Sequence, residues 1–280
     1  MKQTGEDRKL FFKYLKKLCL LDDTFMRKCF EGDKNECVQE VLRIILGEEE
    51  LEVEYTNVQH IVANLQGREI QMDIYAVDTT DIRYDIEIQN INKGANPQRA
   101  RYNSSLIDAN VLPKGEETVN LPISYVIFIT RNDFFNRGLP IYHIERYVQE
   151  TKELFNDGEH IIYVNGAYKD TSTSLGKLIH DLRCTEADDI YNKALRERVK
   201  LFKESEKGVN DMCQLMEELK EIGRQEGKEI GRQEGKEIGK EIGKEIGKEQ
   251  ERANFIKAML EIGIPESTIQ EAIKNMDKYW

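Results

Sequence analysis

Apolar and polar residues alternate strictly from Ile70 to Ala76, where Ile70, Met72, Ile74 and Ala76 interleave with Gln71, Asp73 and Tyr75. A period of two marks a half-buried β-strand. A second arm repeats it, with Tyr84, Ile86 and Ile88 on one face and Asp85, Glu87 and Gln89 on the other. The polar run Thr79-Thr80-Asp81 predicts the turn between the arms, and counting back from Asp78 facing Ile82 sets Ile74 opposite Ile86 and Asp73 opposite Glu87. The stretch 68–91 is therefore expected to be a β-hairpin, entered by a turn at Gly67. Elsewhere the period lengthens. Val38, Val41, Leu42, Ile45 and Leu46 are spaced for the buried face of a helix over Asn35–Leu46, with Glu36 and Glu40 on another face. Residues 8–18 form a basic amphipathic helix, and Asn96 and Pro97 supply an N-cap and a first helical residue for a helix from Gln98 to about Val111. Leu51–Asn64, Tyr142–Val148 and His160–Val164 read as strands, and Ser174–Arg183 as a closing helix. The nearly unbroken apolar run Ile123–Thr130 predicts a central strand buried on both faces. The mixture is that of an α/β protein.

Beyond Asp188 the pattern becomes polar and helical, and from Glu221 to Glu249 it repeats E-I-G-R-Q-E-G-K and then E-I-G-K, with glycine at every fourth position from Gly223 to Gly247. Each glycine costs a helix about 0.8–1 kcal/mol against alanine, so a lone solvated helix here is marginal. The stripe Ile238, Ile242, Ile246 drifts around the axis because its spacing exceeds 3.6 residues. Two readings stand, a spacer helix of variable length and a rod through which copies of the chain associate. Ala253–Ile262, stopped by Gly263 and Pro265, and Ser267–Met276 predict a terminal helical hairpin, whose second helix has only Lys274 and Lys278 as basic residues and so suits protein contact better than groove reading.

Composition narrows the class. A chain of 280 residues with 39% hydrophobic and 33% charged residues has no apolar run suited to a membrane span. The opening residues lead into a charged helix instead of a signal peptide. Its five cysteines lack C-x-x-C spacing, which points to neither a disulfide framework nor zinc and fits a reducing cytoplasm. A formal charge of −11 argues against indiscriminate coating of nucleic acid. His60, His143, His160 and His180 fall on separate elements with no ligand spacing, and there is no G-x-S-x-G, P-loop or H-E-x-x-H.

Two opposed carboxylates on a sheet repel unless something cationic lies between them. Asp73 and Glu87 can thus share a hard divalent ion such as Mg²⁺, or can lie on a solvated face with no such role. Asp73 followed by Glu87-Ile88-Gln89 resembles the D…(E-x-K) signature of PD-(D/E)XK nucleases, in the E-x-Q form of the Rpn family of recombination-promoting nucleases, also called PD-(D/E)XK nuclease family transposases. The resemblance extends over about residues 20–250. Leu21-Asp22-Asp23-Thr24-Phe25 with Phe30 lies upstream; Gln98-Arg99-Ala100-Arg101-Tyr102, Ser104-Ser105-Leu106, Tyr125–Thr130, Gly138–His143 and the repeat tail lie downstream.

The resemblance implies a restriction-endonuclease-like α/β core, a mixed sheet flanked by helices, followed by the helical repeat tail. It also implies a DNA endonuclease using Mg²⁺, or Mn²⁺, linked to recombination or mobile elements. Asp73, Glu87 and the backbone of Ile88 would bind metal, Asp73, Glu87 and Gln89 would serve catalysis, and Arg99 and Tyr102 would contact substrate. Arg99 and Tyr102 can also be a surface arginine and a packed tyrosine. Gln89 stands where lysine is usual and carries no charge to stabilise a phosphorane, so slow or conditional cleavage is expected. A catalytically weak nuclease fold acting through binding is the alternative. The expected organisation is 1–187 as the nuclease-like domain, 188–219 as connecting helices, 220–252 as the repeat and 253–280 as the helical hairpin, with a homo-oligomer formed through the tail.

Overall fold

The computed structural model describes residues 5–32, 35–62 and 69–270. Four expectations lie outside them: the end of the first strand region at 63–64, the turn at Gly67, the start of the hairpin at Arg68, and the last helix over 271–276. In chain order the elements are α1 (Gly5–Leu15), α2 (Asp23–Phe30), α3 (Glu36–Leu46), β1 (Val53–Val62), β2 (Ile70–Asp78), β3 (Arg83–Gln89), α4 (Pro97–Val111), β4 (Ser124–Thr130), β5 (Ile141–Ile144), β6 (Glu159–Asn165), α5 (Ser174–Arg183), α6 (Lys193–Glu204) and α7 (Glu206–Glu261). The strands form one mixed six-stranded sheet in the order β1-β2-β3-β4-β6-β5. Strands β1 to β3 are an antiparallel meander, β3, β4 and β6 are parallel, and β5 returns antiparallel to β6.

The hairpin forms in the counted register, Ile74 opposite Ile86. Its turn is built around one side chain: Asp78 Oδ1 accepts from the Thr80 and Ile82 amides at 2.8 and 3.0 Å, and Oδ2 accepts from the Tyr84 hydroxyl at 2.7 Å. Those contacts let Asp81 adopt a left-handed φ of 68°. Side chains of β3 then sort by parity. Tyr84, Ile86 and Ile88 enter the main core with residues of α2, α3, α5 and α6, while Asp85 and Glu87 are buried on the face covered by α4. Neighbouring β4 is apolar on both sides, Ile127 and Ile129 toward the main core and Val126 and Phe128 toward α4, as its unbroken pattern predicts.

The alternation of β2 does not hold to one face. Ile74 and Ala76 join the main core, but Ile70 and Met72 pack with Tyr75, Val77, Leu106 and Ile107 on the α4 side. Strand β1 reverses at the same level, Val58 lying against the main core and Val62 in the α4 cluster. Between the pairs Val58↔Ile74 and His60↔Met72 stands Gln59, whose φ of 62° bends the ribbon. A non-glycine residue in that region is uncommon, and one such residue suffices to turn the following side chains to the opposite face.

Toward the C-terminus, β5 stops at Ile144 instead of Val148, and Tyr147 makes a single bridge to Leu154. The glycine repeat lies within α7, a continuous helix of 56 residues. Gly263, with a φ of 82°, caps its end, and the Ile264 amide donates to the Met259 carbonyl. Met1–Met216 and Glu217–Trp280 are two separate compact units. Among the described residues no helix is long and apolar enough to cross a membrane.

Candidate active site

Strands β2 and β3 part beyond Ile74, at the level of Gln59 on β1. Their pairing ends at Ile74↔Ile86, and the next N–H on that edge of β3, from Ile88, finds the carboxylate of Asp73 at 2.9 Å in place of a backbone carbonyl. The opposite edge stays paired with β4: the Arg83 amide donates to the Ile123 carbonyl and the Arg131 amide to that of Gln89. Strand alternation therefore directs both the N–H and the C=O of Ile88 toward the gap beside Asp73.

Asp85, Glu87 and Gln89 point to the α4 side, where capping sets the opposing residues. The Asn96 side chain accepts from the Arg99 amide at 2.9 Å, and Pro97 occupies the first helical position. Arg99 and Asn103, one turn apart, then share the face over β3. Asn103 Nδ2 donates to Asp85 at 2.7 Å and to Glu87 Oε1 at 3.1 Å. Arg99 forms an ion pair with Glu87 Oε2, to which Gln89 Nε2 also donates at 3.1 Å. A short turn, Asn92–Ala95, lies over Gln89, and a Cβ on Gly94 would fall 1.9 Å from the glutamine Oε1.

Electrostatically the site is overfilled with acid. Asp73 bears on both Asp85 and Glu87, and the Arg99 guanidinium is paired with Glu87. Burial foremost pushes the Asp85 carboxyl up to about 7. Burial, then the charges of Asp85 and Asp73, pushes Glu87 up to about 9, although its ion pair with Arg99 pulls the other way. Desolvation outweighs the pair because Glu87 is wholly buried while its partner reaches solvent. Asp73 is raised by burial too, with the Ile88 amide holding it back. Asp85 Oδ1 has no hydrogen-bond partner.

The carboxylate oxygens of Asp73 and Glu87 and the carbonyl of Ile88 are groups that suit a hard divalent cation. Among the described residues no group of three or more His, Cys, Asp or Glu side chains is arranged to hold a metal ion. Mg²⁺ is usually held by one or two carboxylates with waters, so Asp73, Glu87 and the Ile88 carbonyl are the groups here that could hold one.

Tyr102 leans on the Ile70–Met72 cluster and, with Arg99 and Arg101, lines an open cleft of about 520 Å³ between the start of β2 and the first turns of α4. The structure thus brings Asp73, Glu87, Ile88, Gln89 and Arg99 together and sets Tyr102 at the rim. Of the helix glutamates, Glu40 is engaged by Arg43 and Asn192. Asp23 of α2, paired with Arg27, bears on Asp73. Sequence reasoning missed Asp85 and Asn103 as site residues; the period-two face shared by Asp85 and Glu87 was the available signal for the first, and the one-turn spacing from Arg99 for the second. A family model described as PD-(D/E)XK nuclease family transposase matches residues 21–220. Searches of curated proteins and of solved structures return no match.

Proposed function

The chain belongs to the PD-(D/E)XK nuclease family transposases, and on that premise we propose that it is a divalent-metal-dependent endonuclease that hydrolyses DNA phosphodiesters in recombination or mobile-element movement. The observation that carries this reading is the carboxylate cluster itself. Fully buried acids with raised proton affinity and an unpartnered oxygen are costly, and a divalent cation offsets that cost. Asp73, Glu87 and the Ile88 carbonyl would hold Mg²⁺ or Mn²⁺. When bound, such an ion supplies charge neutralisation and water activation at the scissile phosphate.

The chain's own groups do the rest. Asn103 fixes the rotamer of Glu87 by holding Oε1, and Gln89, pinned beneath Gly94, can orient the attacking water by hydrogen bonding without adding charge. Arg99, Arg101 and Tyr102 form the substrate side of the cleft. The competing reading, a nuclease fold kept for binding, draws on the same Gln89 and on the guanidinium already seated at Glu87. Supercoiled plasmid incubated with the purified chain decides between them: nicking in Mg²⁺ or Mn²⁺ that EDTA abolishes is expected, and intact plasmid under all three conditions would remove the enzymatic reading.

Five cysteines with no disulfide among the described residues suit a reducing compartment, the cytoplasm in this reading. Self-association through α7 rests on its exposed isoleucines, among them Ile238, Ile242 and Ile246 at 49–57% exposure, beside glycines with open space at every Cβ position. Apolar rows on an otherwise charged helix gain most from burial against another helix. Sedimentation should give a smaller assembly for a chain ending at Leu219 than for the full chain; equal oligomeric states would reduce the tail to a spacer.

A further inference from the structure

Glu87 is surrounded by N–H donors. Asn103 holds Oε1, while Arg99 and Gln89 both donate to Oε2. The two kinds of donor differ in what they can do next. Asn103 is almost wholly buried, whereas the Arg99 side chain is 32% exposed, donates by its other nitrogen to the Gly94 carbonyl at 3.3 Å, and borders the cleft that Arg101 also lines. A divalent cation at Glu87 Oε2 competes with the guanidinium that points at it, because two positive groups would then share one carboxylate oxygen. A buried carboxylate cannot stay unpaired.

We propose that Arg99 is an exchangeable counter-ion: its guanidinium holds the cation position at Glu87 in the metal-free protein and is passed to a backbone phosphate of the nucleic acid in the cleft when a divalent cation loads. This rests on the metal-dependent nuclease reading above and extends it to the order and coupling of binding. Guanidinium geometry matches carboxylate and phosphate alike, so one side chain can serve both partners by rotating about its own stem. Before metal arrives, nucleic acid must break the Arg99–Glu87 pair to recruit this residue. After it arrives, the pair is already broken. Cation and nucleic acid therefore bind with positive coupling, and by linkage each tightens the other by the same factor, on the order of 10-fold.

The test is calorimetry on the full chain with Ca²⁺ alone, with a short DNA duplex of phosphorothioate linkages alone, and with each in the presence of the other. Wild type is expected to show reciprocal tightening. Arg99→Ala should bind Ca²⁺ alone several-fold more tightly, having lost the internal competitor, and bind duplex in the presence of Ca²⁺ more weakly. Arg99→Lys, which keeps the charge but not the fork, should fall between. A structural arginine would give the opposite sign for the cation, since its loss would loosen the site. The proposal is overturned if wild type shows no coupling, or if Arg99→Ala weakens Ca²⁺ binding while duplex binding keeps its cation dependence. Wild type binding neither Ca²⁺ nor duplex overturns this proposal together with the nuclease reading.

Discussion

Asp73→Asn and Glu87→Gln should each lower metal-dependent plasmid nicking by about 10³-fold or more, a loss of about 4 kcal/mol in transition-state stabilisation. Both amides are close in shape to the acids, so the loss reads charge and ligation and not packing. Their effects on stability should part company. Asn at 73 keeps an oxygen for the Ile88 amide and removes one charge from a crowded buried cluster, so thermal unfolding in EDTA should rise by a few degrees, on the order of 1 kcal/mol. Gln at 87 relieves the same crowding but strands the Arg99 guanidinium, and little net gain is expected. Nicking within a few-fold of wild type in either variant would sink the assignment of these residues to the reaction.

Divalent-ion affinity should climb steeply with pH, by about 10-fold or more per unit between roughly pH 6 and 9. The cause is that burial holds the proton on Asp85 up to about 7 and raises the proton affinity of Glu87 against the pull of its Arg99 pair, so a cation competes with protons for the cluster. Stability of the metal-free protein runs the other way. Both folded-state values lie above the ordinary carboxylate range, near 4. The folded chain therefore binds more protons than the unfolded one across the window between, and its stability declines as pH rises from about 4.5 toward 9. Proton release on titrating Mg²⁺ in two buffers of different ionisation enthalpy measures the first effect, and urea unfolding in EDTA at several pH values the second. An affinity flat across this range, or a metal-free protein that gains stability through it, would show that the cluster is ionised before metal arrives.

The hairpin was legible because its information is local. Two period-two arms and a three-residue polar turn leave one register that keeps both apolar faces buried, and Ile74 meets Ile86 as that count requires. Helix α4 was equally plain, since Asn96 and Pro97 mark its start by capping chemistry alone. What the pattern could not carry was the reversal at Asp73. Nothing in I-Q-M-D-I announces that Met72 and Ile74 face opposite sides, because the cause is the backbone of Gln59 on the neighbouring strand. The site shows the same division. Asp73 and Glu87 follow from strand counting, but the bridge from Asn103 to Asp85 and the pairing of Arg99 with Glu87 join residues on separate elements and depend on how α4 is laid across β3. Short helix α2 also went unmarked, too brief for a periodic signal to stand out. The glycine repeat is helical throughout, as both readings of it require, although propensity makes a lone helix there marginal.

One residue described above has an effect far from chemistry. In the strand order β1 is an outer strand, ten residues long, and a flat unpaired border of that length is a template on which another chain can add a strand. Gln59 breaks it. With φ at 62° within β1, the N–H and C=O groups before and after it no longer fall in one straight row, so an incoming strand could not match the whole border. The opposite outer strand, β5, meets the same hazard by being only four residues long. A single left-handed residue thus lies level with the gap that Asp73 fills and interrupts the border on which a further strand could add.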